Sequence, residues 1–209
     1  MIFKTDQNRQ IVVVRPGATS FDDDGRIKGS LDMPLSDSGR REVFRLASQL
    51  CELPIRTVYT APCESAVQTA EIVADAIMSR RVRDDAGRRE SRPREVRVRT
   101  IDDFRNVDHG LWQGKLIDEL KQYNPRTFRR ATEDPESIMP PGGEPFLDAK
   151  HRVMKAVAKL VKKNAGVLTA MVIPDPLGEM VRNTLDANHP PLDLWKHEVD
   201  HFGYALVNV

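Results

Sequence analysis

Hydrophobic positions along the chain fall into short continuous runs and longer stripes at helical spacing. The run Ile11-Val12-Val13-Val14, closed by Pro16-Gly17, is β-branched throughout. That suits a strand buried on both faces of a mostly parallel sheet, and it is expected to be the central one. From Ser38 to Leu50, Val43, Leu46, Ala47 and Leu50 recur with helical period behind a cap at Ser36 or Ser38. Thr57 to Thr60 reads as a short strand, and Pro62 as the opening of a second helix with Ala66, Ala70, Val73 and Ile77 on one stripe. Glu95 to Arg99 alternates with period two, which predicts a strand with one apolar face near a sheet edge. Short helices are expected at Leu116 to Tyr123 and Pro125 to Ala131, then a Pro/Gly-rich loop from Pro135 to Pro145. A long helix follows from Phe146 to Asn164, with Val153, Val157, Leu160 and Val161 on its apolar face and Gly166 as its stop. Val167 to Ile173 and Tyr204 to Val209 read as further strands. The alternation predicts an α/β fold, a three-layer α/β/α sandwich around a mostly parallel central sheet. Chemistry in such a fold belongs just beyond the carboxyl ends of the strands, here the loops after Val14, Thr60 and Ile173.

Composition narrows the function classes. A length of 209 residues suits one domain over 1–209, with an Arg-rich insertion or loop around 80–99. With 32 Lys+Arg against 31 Asp+Glu, the chain lacks the overall basic excess of a nucleic-acid binder. Its longest aliphatic run has four residues, far short of the roughly 20 a membrane span needs. The N-terminus turns polar at once and lacks the features of a secretory signal, so a cytoplasmic location is expected. Cys51 and Cys63 have neither metal-ligand spacing nor a disulfide framework and read as reduced structural thiols. Between Arg80 and Arg99, nine arginines face four carboxylates, a local excess of +5. A run of this kind is usually a solvated surface; its functional alternative is a site for an anionic partner.

The loop after the first strand reads Arg15-Pro16-Gly17-Ala18-Thr19, and the chain continues through Gly25-Arg26, Gly29, Asp32, Pro34-Leu35 and Gly39. Further on come Thr60-Ala61-Pro62-Cys63-Glu64-Ser65-Ala66-Val67-Gln68-Thr69-Ala70, Gly110-Leu111-Trp112-Gln113-Gly114 and Pro140-Pro141-Gly142-Gly143-Glu144. In this order and over nearly the whole chain, these segments resemble the phosphoglycerate-mutase-like branch of the histidine phosphatases. The resemblance implies that fold, and an activity in which a first-loop histidine attacks phosphorus. Arginines and a second histidine then hold the phosphoryl oxygens, and an acidic residue protonates the leaving group.

Position by position, the resemblance implies a stripped site. Arg15 stands where the family's first-loop arginine stands, but the nucleophile's position is Pro16, which has no lone pair and no N–H to offer. An Asn that binds phosphate in many members is Asp22, an acceptor-only anion. The second arginine's position is Ser65, and the acid's position, four residues before Gly110, is Asn106. The turn that should deliver the second histidine reads Pro174-Asp175-Pro176-Leu177-Gly178. Charge-assisted hydrogen bonds are worth about 1.5–3 kcal/mol each, so phosphate affinity is expected to collapse.

The expected function is therefore that of a pseudo-phosphatase, keeping the fold to bind an unknown protein or small ligand without catalysis, cofactor or metal. The alternative is a divergent phosphatase or mutase with another nucleophile, His109 being the best-placed candidate. A third reading, a hard cation at Asp22-Asp23-Asp24 with Asp175, suffers because consecutive aspartates seldom point at one centre. Arg15 either binds a ligand or pairs internally with Asp22 or a backbone carbonyl. Trp112 is expected to pack, and His151, His189, His197 and His201 to be surface or packing residues.

Overall fold

The apolar run near the start of the chain forms β1 (Gln10–Val14), whose last four residues are buried. The structure is a computed structural model that describes residues 10–79, 95–186, 192, 194 and 203–208. The 80–94 part of the Arg-rich segment and His189, His197 and His201 lie outside the described residues. After β1 come α1 (Ser20–Asp23), α2 (Asp37–Leu50), β2 (Thr57–Thr60), α3 (Glu64–Ser79) and β3 (Arg97–Thr100). Then follow α4 (Ile117–Tyr123), α5 (Pro125–Glu133), α6 (Phe146–Lys163), β4 (Thr169–Val172), α7 (Leu177–Leu185) and β5 (Tyr204–Asn208).

The five strands lie in the order β3-β2-β4-β1-β5, all neighbours being parallel except β1 and β5. The central strand is thus β4, not β1. Both strands carry buried residues on each face, and an apolar run reports burial rather than rank in the sheet. From β1 through β2 to β3 the chain moves one way across the sheet, and from β3 to β4 it turns back. Right-handed crossovers then put α2 and α3 on one face and α6 on the other. Accordingly α2 packs on α3 and α6 on α7, which gives the three layers.

Local details follow from side-chain chemistry. The Ser36 hydroxyl accepts the Gly39 N–H and caps α2, as its position before the apolar stripe requires. Gly39 is needed for close approach, because a Cβ there would lie 2.1 Å from the Ala18 carbonyl oxygen. The loop after β1 thereby lies directly on the first turn of α2. Pro62 does not open α3. The helix starts at Glu64, whose N–H donates to the Asp32 carboxylate from another loop, so its terminus is capped from outside its own sequence. A second small core joins Ile27, from the loop between α1 and α2, to Trp112, Leu120, Ala131 and Ile138 from the stretch between β3 and α6, and it seats α4 and α5 beside the loops that follow the strands.

Candidate functional site

Four segments that follow β1, β2, β3 and β4 meet at one end of the sheet. Arg15, directly after β1, has its Nε 3.3 Å from Asp175 Oδ2, an ion pair without a hydrogen bond. Asp175 lies in the turn after β4, where Gly178 leaves no room for a Cβ beside the Ile173 carbonyl oxygen. Its other oxygen accepts the Glu179 N–H at 2.8 Å and an Arg182 N–H at 3.2 Å. The carboxylate is therefore held between two guanidinium groups at the start of α7. The sequence pattern predicts a turn over 174–178; the structure starts α7 at Leu177 and brings Arg182 to Asp175. The signal was Leu177, Met180 and Val181 at helical spacing directly after a proline, all of them buried.

Asp22 has a different partner. Its Oδ2 accepts the Thr19 N–H and hydroxyl, each at 2.7 Å, and the Lys28 ammonium at 3.0 Å. Burial tends to raise its pKa, but Lys28, the two Thr19 hydrogen bonds and the charge of Arg15 outweigh it and hold the carboxyl below its ordinary value. The expected internal pairing of Arg15 is with Asp22 or a backbone carbonyl; the structure pairs it with Asp175, and Asp22 serves the geometry of α1. Glu42 on α2 also approaches Arg15 and the Ala18 N–H. Its pKa is raised because burial exceeds their opposing effect. Sequence reasoning did not find it.

Pro16 is buried, and the Gly17 N–H next to it donates to the Thr69 hydroxyl on α3. Ser65 is 1% exposed and its N–H donates to the Met33 carbonyl, so it acts in packing α3 against the first loop. Asn106 is a strut. Its side-chain amide donates to the Gly29 carbonyl at 3.2 Å and the Asp175 carbonyl at 2.9 Å, while its Oδ1 accepts the Val107 N–H. An ionised carboxylate could not donate to two carbonyls, which accounts physically for an amide at this position. Asn106→Ala is expected to destabilise the chain by about 2 kcal/mol in chemical denaturation, since one buried and one part-buried acceptor lose their donor.

The acidic run 22–24 diverges. Asp23 accepts the Ser38 hydroxyl and Asp24 lies 3.9 Å from Arg26. Among the described residues no three carboxylate, histidine or cysteine side chains converge as metal ligands. His109 is buried against Trp112, ring centroids 6.5 Å apart, and its Nδ1 has no hydrogen-bond partner among the described residues. Burial, only partly opposed by Asp108, pushes its pKa down to about 4. No hydrogen bond or ion pair joins it to Arg15, Asn106 or Asp175. Cys63, a free thiol, lines a cleft of about 240 Å³ with Lys28, Leu31, Arg105, Asn106 and Pro174.

The family model described as histidine phosphatase superfamily (branch 1) matches residues 11–202. The chain belongs to that superfamily. Among curated relatives of this member, phosphoserine phosphatase 1 of Hydrogenobacter thermophilus is 25% identical over 202 residues, 96% of this chain and 86% of that protein. Phosphoglycerate mutase-like protein 4 of Arabidopsis thaliana is 28% identical over 183 residues, 87% of this chain and 71% of that one. The fold is shared with a phosphoglycerate mutase from Bacillus anthracis at a TM-score of 0.74 and 15% identity, covering 96% of this chain and 92% of that chain. The fold class expected from the sequence and the phosphoglycerate-mutase-like resemblance both stand. Among the described residues no helix is long and apolar enough to cross a membrane.

Proposed function

We propose that this member of the superfamily is a non-catalytic binding protein that uses the remodelled pocket at the ends of its strands. The observation that supports this reading best is the Arg15–Asp175 pair. Arg15 is the position the family uses to hold a phosphoryl oxygen, and here a carboxylate oxygen of the chain itself stands against it. Arg182 is engaged by the same carboxylate and Lys28 by Asp22, so each of these cations already faces an anion. An incoming phosphate dianion would meet that carboxylate first. Pro16 at the nucleophile's position and Asn106 at the acid's position agree with this role, since neither can take or give the required proton.

The ligand that fits the adjacent cleft is small. Its volume of about 240 Å³ lies below the usual range for drug-sized ligands, and suits a fragment-sized molecule or one inserted side chain of a protein partner. A replacement nucleophile at His109 is the weaker alternative, because its low pKa makes it a poor base and no contact links it to Arg15.

The test is hydrolysis of an aryl phosphate across pH 5–8, beside Arg15→Ala purified in the same way. The expected result is no turnover above that variant. Turnover by the wild type that disappears with Arg15→Ala would overturn the proposal and make His109→Ala the next comparison.

A further inference from the structure

A second concave surface, lined by residues of β3, the segment after it and α6, shares no lining residue with the cleft beside Asn106. Between β3 and α6 runs a groove of about 510 Å³. Its floor is apolar, formed by Tyr59, Ile101 and Leu160, and its rim carries Arg99, Lys159 and Lys163 against the single carboxylate of Asp103. The floor is fastened in place by the hydrogen bonds between the Tyr59 hydroxyl and Asn164. Lys159 and Lys163 are four residues apart and so lie on one face of α6. Among the described residues none of the three rim cations has an ion-pair partner. In a chain of net charge +1, this is an uncompensated local excess.

Among the described residues, the groove borders an uncovered sheet edge. Among the described residues β3 is the terminal strand and pairs with β2 alone. The N–H groups of Arg97 and Ile101 donate inward to Arg56 and Thr60. By the alternation of a parallel ladder, those of Val98 and Thr100 then point outward. The two faces of this edge also differ. Arg99 faces the cationic groove, whereas Val98, on the opposite face, packs partly buried against the main core.

We propose that this edge is a docking site for an extended acidic peptide of a partner protein, which adds as a strand beside β3. Every second side chain of such a strand faces the groove, where a carboxylate pairs with Arg99, Lys159 or Lys163. The alternate side chains continue the apolar face begun by Val98. Main-chain hydrogen bonds give affinity in this mode, and the alternating pattern gives specificity. The peptide class that fits is therefore alternating acidic and apolar. The site is independent of the pocket at Arg15, and it gives a function to the last residues of the Arg-rich segment, 95–99.

The probe is a fluorescein-labelled peptide of about eight alternating glutamate and valine residues, long enough to cover a strand of typical length. Fluorescence anisotropy with the full chain in about 0.15 M salt keeps surface screening physiological. Saturable binding is expected, at least about tenfold tighter than for the same peptide with glutamine in place of glutamate. A peptide of identical charge built from alternating L- and D-residues, whose side chains cannot alternate between the two faces of a strand, is expected to bind equally weakly. The exposed triple change Arg99→Glu, Lys159→Glu and Lys163→Glu should abolish binding, with an unchanged melting profile reporting that it folds. Absence of saturable binding would overturn the proposal. Equal binding of the L/D peptide, or tighter binding of an oligothymidylate of the same charge, would overturn it too, since either outcome describes a general polyanion surface.

Discussion

Asp175→Ala is expected to destabilise the chain by about 3–5 kcal/mol, the usual cost of removing one partner from a buried ionic cluster. The carboxylate sits between Arg15 at 3.3 Å and Arg182 at 3.2 Å, with side-chain exposures of 14% and 9% for the two arginines. Its loss leaves two guanidinium groups repelling each other in a site with little water. In a chain of this size, each kcal/mol moves the melting temperature by about 2–4 °C, so the fall should be on the order of 10 °C. The cost belongs to the loss of the negative charge between the two guanidinium groups rather than to the cluster itself. Replacing all three residues together (Arg15→Met, Asp175→Leu, Arg182→Met) should therefore cost far less than Asp175→Ala alone. A triple variant as unstable as the single one would show that packing of the turn, not charge, sets the effect.

The same variant probes the proposed function. With Asp175 gone, the carboxylate that stood between Arg15 and Arg182 is removed and the local charge becomes more positive. Inorganic phosphate is then expected to raise the melting temperature of Asp175→Ala while leaving that of the wild type unchanged. At about a hundredfold excess over Kd, the gain would be about 2.7 kcal/mol. Phosphate that stabilises wild type and variant equally would mean that Asp175 does not occupy the anion's place.

Much of the framework was legible from the sequence because its causes are local. The stripe Val43, Leu46, Ala47 and Leu50 with a serine just before it could only be a capped amphipathic helix, and Thr57 to Thr60 is a strand with the same bounds in the structure. The rank of β1 in the sheet was not legible, since strand order depends on crossovers that no single run records. The start of α3 was misread because Asp32, thirty-two residues away, caps it. In the site, the motifs identified Arg15, Asn106 and Asp175 as positions of interest, yet not their pairing. Arg15 and Asp175 lie 160 residues apart in sequence, and their contact exists only because β1 and β4 are neighbours in register. Asn106 reads as a lost acid until its two carbonyl partners are seen. His109 reads as a loop histidine, and its burial depends on the neighbouring core around Trp112.

That burial makes His109 the source of an acid-dependent instability. The folded chain keeps the imidazole neutral down to about pH 4, whereas the unfolded chain takes up a proton near the ordinary value of 6.5. Between these values the unfolded state binds more protons, so stability is greatest above pH 6.5 and falls as the pH is lowered toward 4. At about 1.36 kcal/mol per pKa unit, the total loss from this group is roughly 3 kcal/mol, and below pH 4 it contributes no further slope. His109→Phe removes the titration, keeps an aromatic ring beside Trp112, and replaces a buried Nδ1 without a partner by carbon. Urea denaturation of both proteins from pH 4.5 to 8 should thus give nearly equal stabilities, or a small gain for the variant, at pH 8. The variant's advantage should then grow steadily below pH 6.5. Carboxylates elsewhere titrate alike in the two proteins and cancel in the difference. Parallel pH profiles would show that His109 is protonated in the folded chain as readily as in the unfolded one, and would reopen a role for it as a working acid or base.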